Sequence, residues 1–276
     1  MLLHAGLISL FCIVVGALSA AQEQPSDTPT ASQQTAMLAQ MTKYAEQYVN
    51  NLPNFLCVLV TEQFEANKKG EHWRKGDTLT ARLAYNEGRE RRTLVLVNDK
   101  SLNQVTHRWR TPLTTEGEFG RLIEMIFEER SQAAFEWNRW DDLHGKRVAV
   151  FKYSVEQQRS TMKLGLSDLA SAIVPYHGSV FADPDTGAIY QVYEIATEIP
   201  KELRTREIGT TIEYSEVSIG DAKYLLPVRA SILMKTDQNQ VRNELDFRDY
   251  RKFGAESSIT FGDSSGGEAP APPPKD

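Results

Sequence analysis

Apolar residues recur at every second position over much of the chain. In "LLPVRASILMK", residues 225–235, apolar side chains fall on one face of an extended strand, and Arg229, Ser231 and Lys235 fall on the other. The segment "QVRNELDFRDY", residues 240–250, alternates in the same way. Turn-forming clusters such as "NEG", "LHGK" and "TDQNQ" separate these runs. The pattern predicts an antiparallel meander of about ten half-buried strands.

Two segments instead show the three- and four-residue spacing of amphipathic helices. In residues 35–53, apolar side chains recur from Met37 and Met41 to Leu52, and Pro53 is expected to end the helix. The second stripe lies in "EGEFGRLIEMIFEERSQ", residues 116–132. A sheet this large with only two helices predicts a β-rich α+β fold, in which a curled sheet, or half-barrel, is covered by both helices.

The two ends of the chain differ in composition from this patterned region. Residues 1–21 form an apolar run that ends in Ser19, Ala20 and Ala21, which is typical of a cleaved secretory signal peptide. An uncleaved membrane anchor is the alternative, because the run is nearly long enough to span a bilayer. Residues 22–34 are interpreted as a disordered linker, 35–261 as one β-rich domain, and 262–276 as a disordered Gly/Ser/Pro tail.

Charge and cysteine content narrow the function classes. The chain has 31 Lys and Arg against 37 Asp and Glu, a net charge of −6, which argues against nucleic-acid binding. The basic aromatic segments at 71–76 and 107–110 are therefore interpreted as solvated strand faces. Once the signal peptide is removed, Cys57 is the single cysteine, so stability must come from the core. Its apolar neighbours predict a buried thiol that does not act as a nucleophile.

Two acidic or serine-containing motifs resemble chemical sites but have simpler interpretations. "DPDTG", residues 183–187, places two aspartates near a glycine, but Gly187 stands where a calcium loop needs a further oxygen ligand. A hairpin turn with glycine at positive φ is expected instead. "GDSSGG", residues 262–267, resembles a serine-protease motif, but it lies in the tail, where no base is held nearby. We therefore predict no catalytic residue, metal or cofactor.

The order of these features resembles a known superfamily. A signal peptide, a helix with a Pro stop, a strand meander, a second helix, the hairpin "GSVFADPDTGAIYQVYEI" and the long strand "GDAKYLLPVRASILM" together look like the periplasmic lipoprotein carriers of the LolA-like superfamily and the related RseB-like sensor domains. The resemblance implies a half-closed barrel whose apolar cavity receives acyl chains. It carries no individual residue role over to this chain.

Together these features predict an exported, periplasmic or secreted protein that binds a lipid or lipoprotein acyl group without catalysis, as a carrier or sensor. The side chains expected to line the cavity are on the two helical stripes: Met37, Met41, Phe119, Leu122 and Ile126. The first alternative is a protein-interaction module with a packed interior, and the second is a hydrolase of unknown type. The oligomeric state stays open.

Overall fold

The computed structural model describes residues 28–106, 118–167 and 170–254. Within these ranges, residues 166, 167 and 170 are described by their backbone alone. The predicted signal peptide (1–21), the first part of the linker, the basic segment 107–110 and the tail (262–276) lie outside the described residues. Neither described helix has the length and apolar character needed to cross a membrane.

The described residues form two α-helices, three-residue 3₁₀ turns and thirteen strands. The helices are α1 (Ala31–Tyr48) and α2 (Arg121–Phe127). The strands are β1 (Phe55–Asn67), β2 (Arg74–Asn86), β3 (Arg89–Val97), β4 (Lys100–Ser101), β5 (Ala134–Leu143), β6 (Lys146–Val155), β7 (Lys163–Ser167), β8 (Ala170–Ile173), β9 (Tyr176–Ala182), β10 (Ile189–Ala196), β11 (Thr205–Ile219), β12 (Ala222–Thr236) and β13 (Asn239–Lys252).

Eleven of these strands form one antiparallel sheet, in the order β4-β3-β2-β1-β13-β12-β11-β10-β9-β6-β5. Strands β1 to β4 build outward to one edge, and the chain then crosses to the opposite edge and returns from β5 to β13. Strand β13 pairs with β1 along nearly its whole length. The first and last strands of the sheet in chain order are therefore neighbours in its interior. The sheet does not close into a barrel, so the predicted curled meander with two helices is confirmed, with one strand more than the ten expected.

Helix α1 begins earlier than the sequence pattern predicted. Thr30 is its N-cap, and the Gln33 amide donates to the Thr30 Oγ1 at 3.3 Å. In return, the Thr30 amide donates to the Gln33 Oε1 at 2.8 Å. This reciprocal capping box satisfies two amides that would otherwise lack partners. Residues 31–34, which were interpreted as linker, are therefore helical.

Helix α2 is shorter than its stripe of apolar residues. Gly120, with φ of 107°, precedes the helix, which runs for seven residues to Phe127. Glu128 then has extended backbone, and residues 129–131 form a 3₁₀ turn. The left-handed conformation at Gly120 prevents the helix from extending toward residue 118.

Both helices cover the same face of the sheet, called here the inner face. Tyrosine hydroxyls from the sheet bond to the main chain at both ends of α2: Tyr214 donates to the Glu118 carbonyl at 3.2 Å, and Tyr176 to the Met125 carbonyl at 2.9 Å. From α1, Tyr48 donates to the Leu225 carbonyl at 2.9 Å. The apolar side chains between the helices and the inner face form one continuous core.

The segment 183–187 forms the predicted hairpin turn between β9 and β10. The Asp183 Oδ1 accepts from the Asp185 amide at 3.0 Å and from the Thr186 amide at 2.8 Å. Burial opposes ionisation of Asp183, but the hydrogen bonds from Thr186 outweigh it, and the pKa of Asp183 is lowered. Gly187 has φ of 72°. The aspartate carboxylate thus serves the turn itself, and the turn interpretation is confirmed.

Candidate functional site

The strand register aligns a transverse row of residues across the inner face, one residue from each of seven neighbouring strands. We call it the polar row, because four of its side chains are polar and buried. From β1 to β6 its members are Gln63, Asn243, Ile232, Thr210, Glu194, Gly178 and Tyr153. A band of polar groups therefore crosses an otherwise apolar interior.

Apolar residues flank the polar row on both sides. On one side lies a buried row that consists of Leu245, Ala230, Ile212, Val192, Val180 and Phe151. On the other side lies a second apolar row, called here the rim row, which consists of Val241, Met234, Ile208 and Ala196. Three of its four side chains, all but Ala196, are only half-buried. On β11, β12 and β13 the inner face thus changes from sealed apolar core, through polar groups, to partly open apolar surface, whereas on β10 and β9 the same side is buried at Ala196 and Tyr176.

Glu194 is the carboxylic acid of the polar row, and no described residue forms a hydrogen bond with its Oε2. It is only 7% exposed, and its Oε2 is buried without a hydrogen bond. Burial alone raises the pKa of the Glu194 carboxyl to about 8. In the folded protein at neutral pH this side chain is therefore mainly a neutral acid with one O–H to donate.

The residues on the β9 side of Glu194 are fixed by a glycine. A β-carbon at Gly178 would lie 1.8 Å from the Tyr193 carbonyl oxygen and 3.0 Å from the Tyr153 hydroxyl. The missing side chain lets Tyr153 donate to the Tyr193 carbonyl at 3.2 Å. The Tyr153 hydroxyl thus donates its proton to the main chain and not to the Glu194 carboxyl.

The far end of the polar row borders a groove of about 400 Å³. Gln63 of the polar row and Val241 of the rim row contribute to its wall. The remaining wall residues are Phe64, Glu65, Arg74, Lys75, Gly76 and Asp77. This groove lies near one end of each of the strands β1, β2 and β13.

The five residues predicted to line a cavity are brought together in the core. Met37 and Leu122 are 7% exposed, Phe119 is 2%, Met41 is 1% and Ile126 is fully buried. Phe119 packs against the Phe55 ring, with centroids 5.0 Å apart. Their side chains contact one another and the sheet within one hydrophobic cluster.

Two further grooves lie between described residues, and neither includes any of these five. One, of about 390 Å³, lies between α1 and the β11–β12 turn, and Tyr44, Tyr190 and Tyr224 contribute to it. The other, of about 310 Å³, includes Arg229 and Asp246 on the outer face of the sheet. No residue of the polar row lines either groove.

A second buried polar cluster lies where α2 begins. Arg92 on β3 pairs with Glu90 at 2.9 Å and with the fully buried Glu118. Burial, reinforced by the Glu118 charge, raises the pKa of Glu90 despite the opposing effect of Arg92. No group of three or more His, Cys, Asp or Glu side chains within the described ranges has the arrangement of a metal site. The cluster links β3 to the start of α2.

Cys57 lies on the inner face of β1 and is fully buried. Burial, with a smaller contribution from Glu90, raises the pKa of its thiol to about 12. The thiolate that a nucleophile requires is therefore scarce at neutral pH, and the prediction of a buried structural cysteine is confirmed.

Glu194 is the site residue that the sequence interpretation missed. It occupies the apolar phase of "YQVYEI", between Val192 and Ala196. A glutamate in the buried phase of an alternating strand is unusual, because burial of an unpaired carboxyl is costly. That break in the alternation was the available signal.

Comparison with known proteins gives structural similarities only. No family model matches the chain, and no curated protein matches it. A LolA superfamily protein from Nitrosomonas europaea is similar to it, with 10% identity, a TM-score of 0.34, and 78% of this chain and 93% of that chain covered. A DUF1329 family protein from Desulfovibrio piger gives 8% identity and a TM-score of 0.37, with 83% and 96% covered.

A third similar structure is a domain assigned to an outer membrane lipoprotein-sorting protein from Vibrio parahaemolyticus. It is 11% identical with a TM-score of 0.37, and the alignment covers 82% of this chain and 95% of that one. At this level of similarity, no ligand, partner or residue role passes from these proteins to the present chain.

Proposed function

We propose that this protein is an exported carrier or sensor that binds the acyl chain of a lipid or lipoprotein along the inner face of its sheet, without catalysis. The observation that carries the proposal is the half-buried rim row, which continues the apolar core outward past the polar row. Each CH₂ group that leaves water for such a surface contributes roughly 0.8 kcal/mol, so a long chain can bind firmly without catalytic residues.

In this proposal the helix stripes form the roof above the chain. Met37, Met41, Phe119, Leu122 and Ile126 belong to the hydrophobic core on the sheet, and the acyl chain enters from the rim row beneath them. Methionine side chains suit this role, because they are flexible and polarisable and repack around irregular ligands. The rim methionine, Met234, has the same properties.

The proposal is tested by native mass spectrometry and by melting curves with and without a palmitoyl glyceride. The protein purified without detergent should carry a lipid-sized adduct, and added glyceride should raise its melting temperature. Met234→Gln on the rim should remove most of this thermal shift. Leu233→Gln is the matched control, because the adjacent half-buried residue lies on the opposite face of β12.

A packed interaction module is the second candidate, and the burial of all five roof residues in one cluster favours it. In that case the interior has no room for a ligand, and a sheet edge or an outer groove would engage a partner. Wild-type protein without an adduct and without a thermal shift from any acyl compound would decide for this alternative.

A further inference from the structure

The polar row places the Glu194 carboxyl between two apolar rows of the inner face. On the inner face the diagonal neighbours of Glu194 are Ile212 of the sealed apolar row and Ile208 of the rim row. Its Oε2 is completely buried and has no partner among the described residues. Native interiors rarely leave such a group unsatisfied, and a hydrogen-bonding ligand atom would satisfy it.

We propose that Glu194 donates a hydrogen bond to an ester or amide carbonyl of the acylated ligand and so fixes its head at the polar row. This inference rests on the proposed function. The hydrocarbon chain extends from Glu194 over the apolar rows, and the carbonyl satisfies the buried carboxyl. An ester or amide oxygen is an uncharged acceptor, so its transfer into this interior costs less than that of an ion.

The groups around Glu194 agree with a neutral acid that donates. Tyr153 on β6 and Tyr176 on β9 are the phenols that interact with it, and burial raises the pKa of both above the ordinary value. Beyond Tyr176, the segment after α2 contributes Glu128 and Arg130, and α2 contributes Arg121. Burial is the cause of the shift at Glu194 itself, without a charged neighbour that would favour its ionised form.

A cationic head is the main competing ligand chemistry. A buried carboxylate can pair with an ammonium, but both ions must then leave water, and the pair needs additional hydrogen bonds to be stable. Tyr153 already donates to the Tyr193 carbonyl, so its hydroxyl proton is not available to such a pair. The structure therefore favours the carbonyl over the cation.

The test compares ligands that share one alkyl chain: palmitoyl glyceride, hexadecylamine and hexadecane. Their affinities for the full mature chain are measured by calorimetry at about pH 6 and about pH 9, on either side of the carboxyl's pKa. Wild type should bind the glyceride about tenfold more weakly at the higher pH, where the donor proton is lost. The affinity for hexadecane should be the same at both pH values.

Two substitutions separate the donor from the charge. Glu194→Gln retains an N–H donor at every pH, so glyceride binding should become independent of pH. Glu194→Met removes the donor with little change in shape, and the preference for glyceride over hexadecane should disappear. Met234→Gln, by contrast, should weaken all three ligands together.

The outcomes also separate this inference from the proposed function. If wild type binds none of the three compounds, the acyl-binding function itself is wrong. If glyceride binds equally to wild type and Glu194→Met at both pH values, acyl binding stands and the role of Glu194 is wrong. If hexadecylamine binds more strongly at the higher pH, and more strongly than glyceride, the ligand head that pairs with Glu194 is a cation and not a carbonyl.

Discussion

The main chain of Gly187 lies directly against the main chain of Gln40, so that a β-carbon at position 187 would be 2.4 Å from the Gln40 carbonyl oxygen. The β9–β10 hairpin turn thereby contacts the middle of α1. Gly187 meets two requirements at once, because it has positive φ and also permits this close approach. The turn is thus part of the surface that holds α1 on the sheet.

Gly187→Ala should therefore destabilise the protein by about 2 to 5 kcal/mol, the sum of a left-handed alanine and a forced displacement of α1. Gly145→Ala is the matched control, since Gly145 also has positive φ, at 80°, but nothing lies near its absent β-carbon. Urea denaturation measures both. Equal losses in the two variants would mean that the helix contact contributes nothing.

Cys57 should react with thiol reagents only as fast as the protein unfolds, because the thiol is buried and its pKa is about 12. A Thr93→Cys variant, with its new thiol on the exposed side of β3, is the control for reagent activity. Cys57→Ser should cost about 1 to 3 kcal/mol, because it places a hydroxyl, which is more polar than a thiol, in the apolar core. Prompt labelling of native Cys57 would contradict this account.

Arg92→Met should leave Glu90 and Glu118 as buried carboxyls without their cation and cost about 3 to 5 kcal/mol at neutral pH. Part of the loss should be regained in acid, where protonation removes the uncompensated charge. Arg91→Met, at the adjacent solvent-facing position of β3, should be nearly neutral. The comparison uses denaturation midpoints, and similar losses in both variants would rule out a structural role for the cluster.

The strands and turns were predictable because their signals are local. Alternation at residues 225–235 and the "DPDTG" turn depend on neighbours within a few positions, and both appear as expected. The start of α1 was also encoded locally, in the Thr30–Gln33 capping box, but the polar composition of residues 22–34 resembled a linker. The short span of α2 depends on Gly120, where the absent β-carbon leaves room for the side chains of Tyr48 and Val49.

The polar row was not predictable, because it depends on strand register across the whole sheet. Gln63 and Glu194 are far apart in the chain, and they share a row only because β1, β13, β12, β11 and β10 pair in one particular register. A shift of one residue in any pairing would place the side chain on the other face. The alternation of apolar and polar residues assigns a side chain to one face of the sheet, but it does not identify the residue beside it on the next strand.

Glu194 should make the folded protein less stable as pH rises. The carboxyl has an ordinary pKa of 4.5 when unfolded and of about 8 when folded. Between these values the folded state holds one more proton than the unfolded state. The free energy of unfolding therefore falls by up to about 1.4 kcal/mol for each pH unit in this window, and the effect levels off above it.

Glu194→Gln isolates this contribution, because an amide does not titrate and has nearly the same shape. The stability of the variant relative to wild type should rise steadily between about pH 5 and about pH 8, and should be constant at higher pH. Glu136→Gln on the exposed side of β5 provides the control and should follow wild type throughout. Chemical denaturation at each pH measures the difference in unfolding free energy between variant and wild type. Because the other groups titrate in both proteins, their contributions cancel in this difference. A constant difference across the window would mean that Glu194 is ionised in the folded protein, and that a partner compensates its charge.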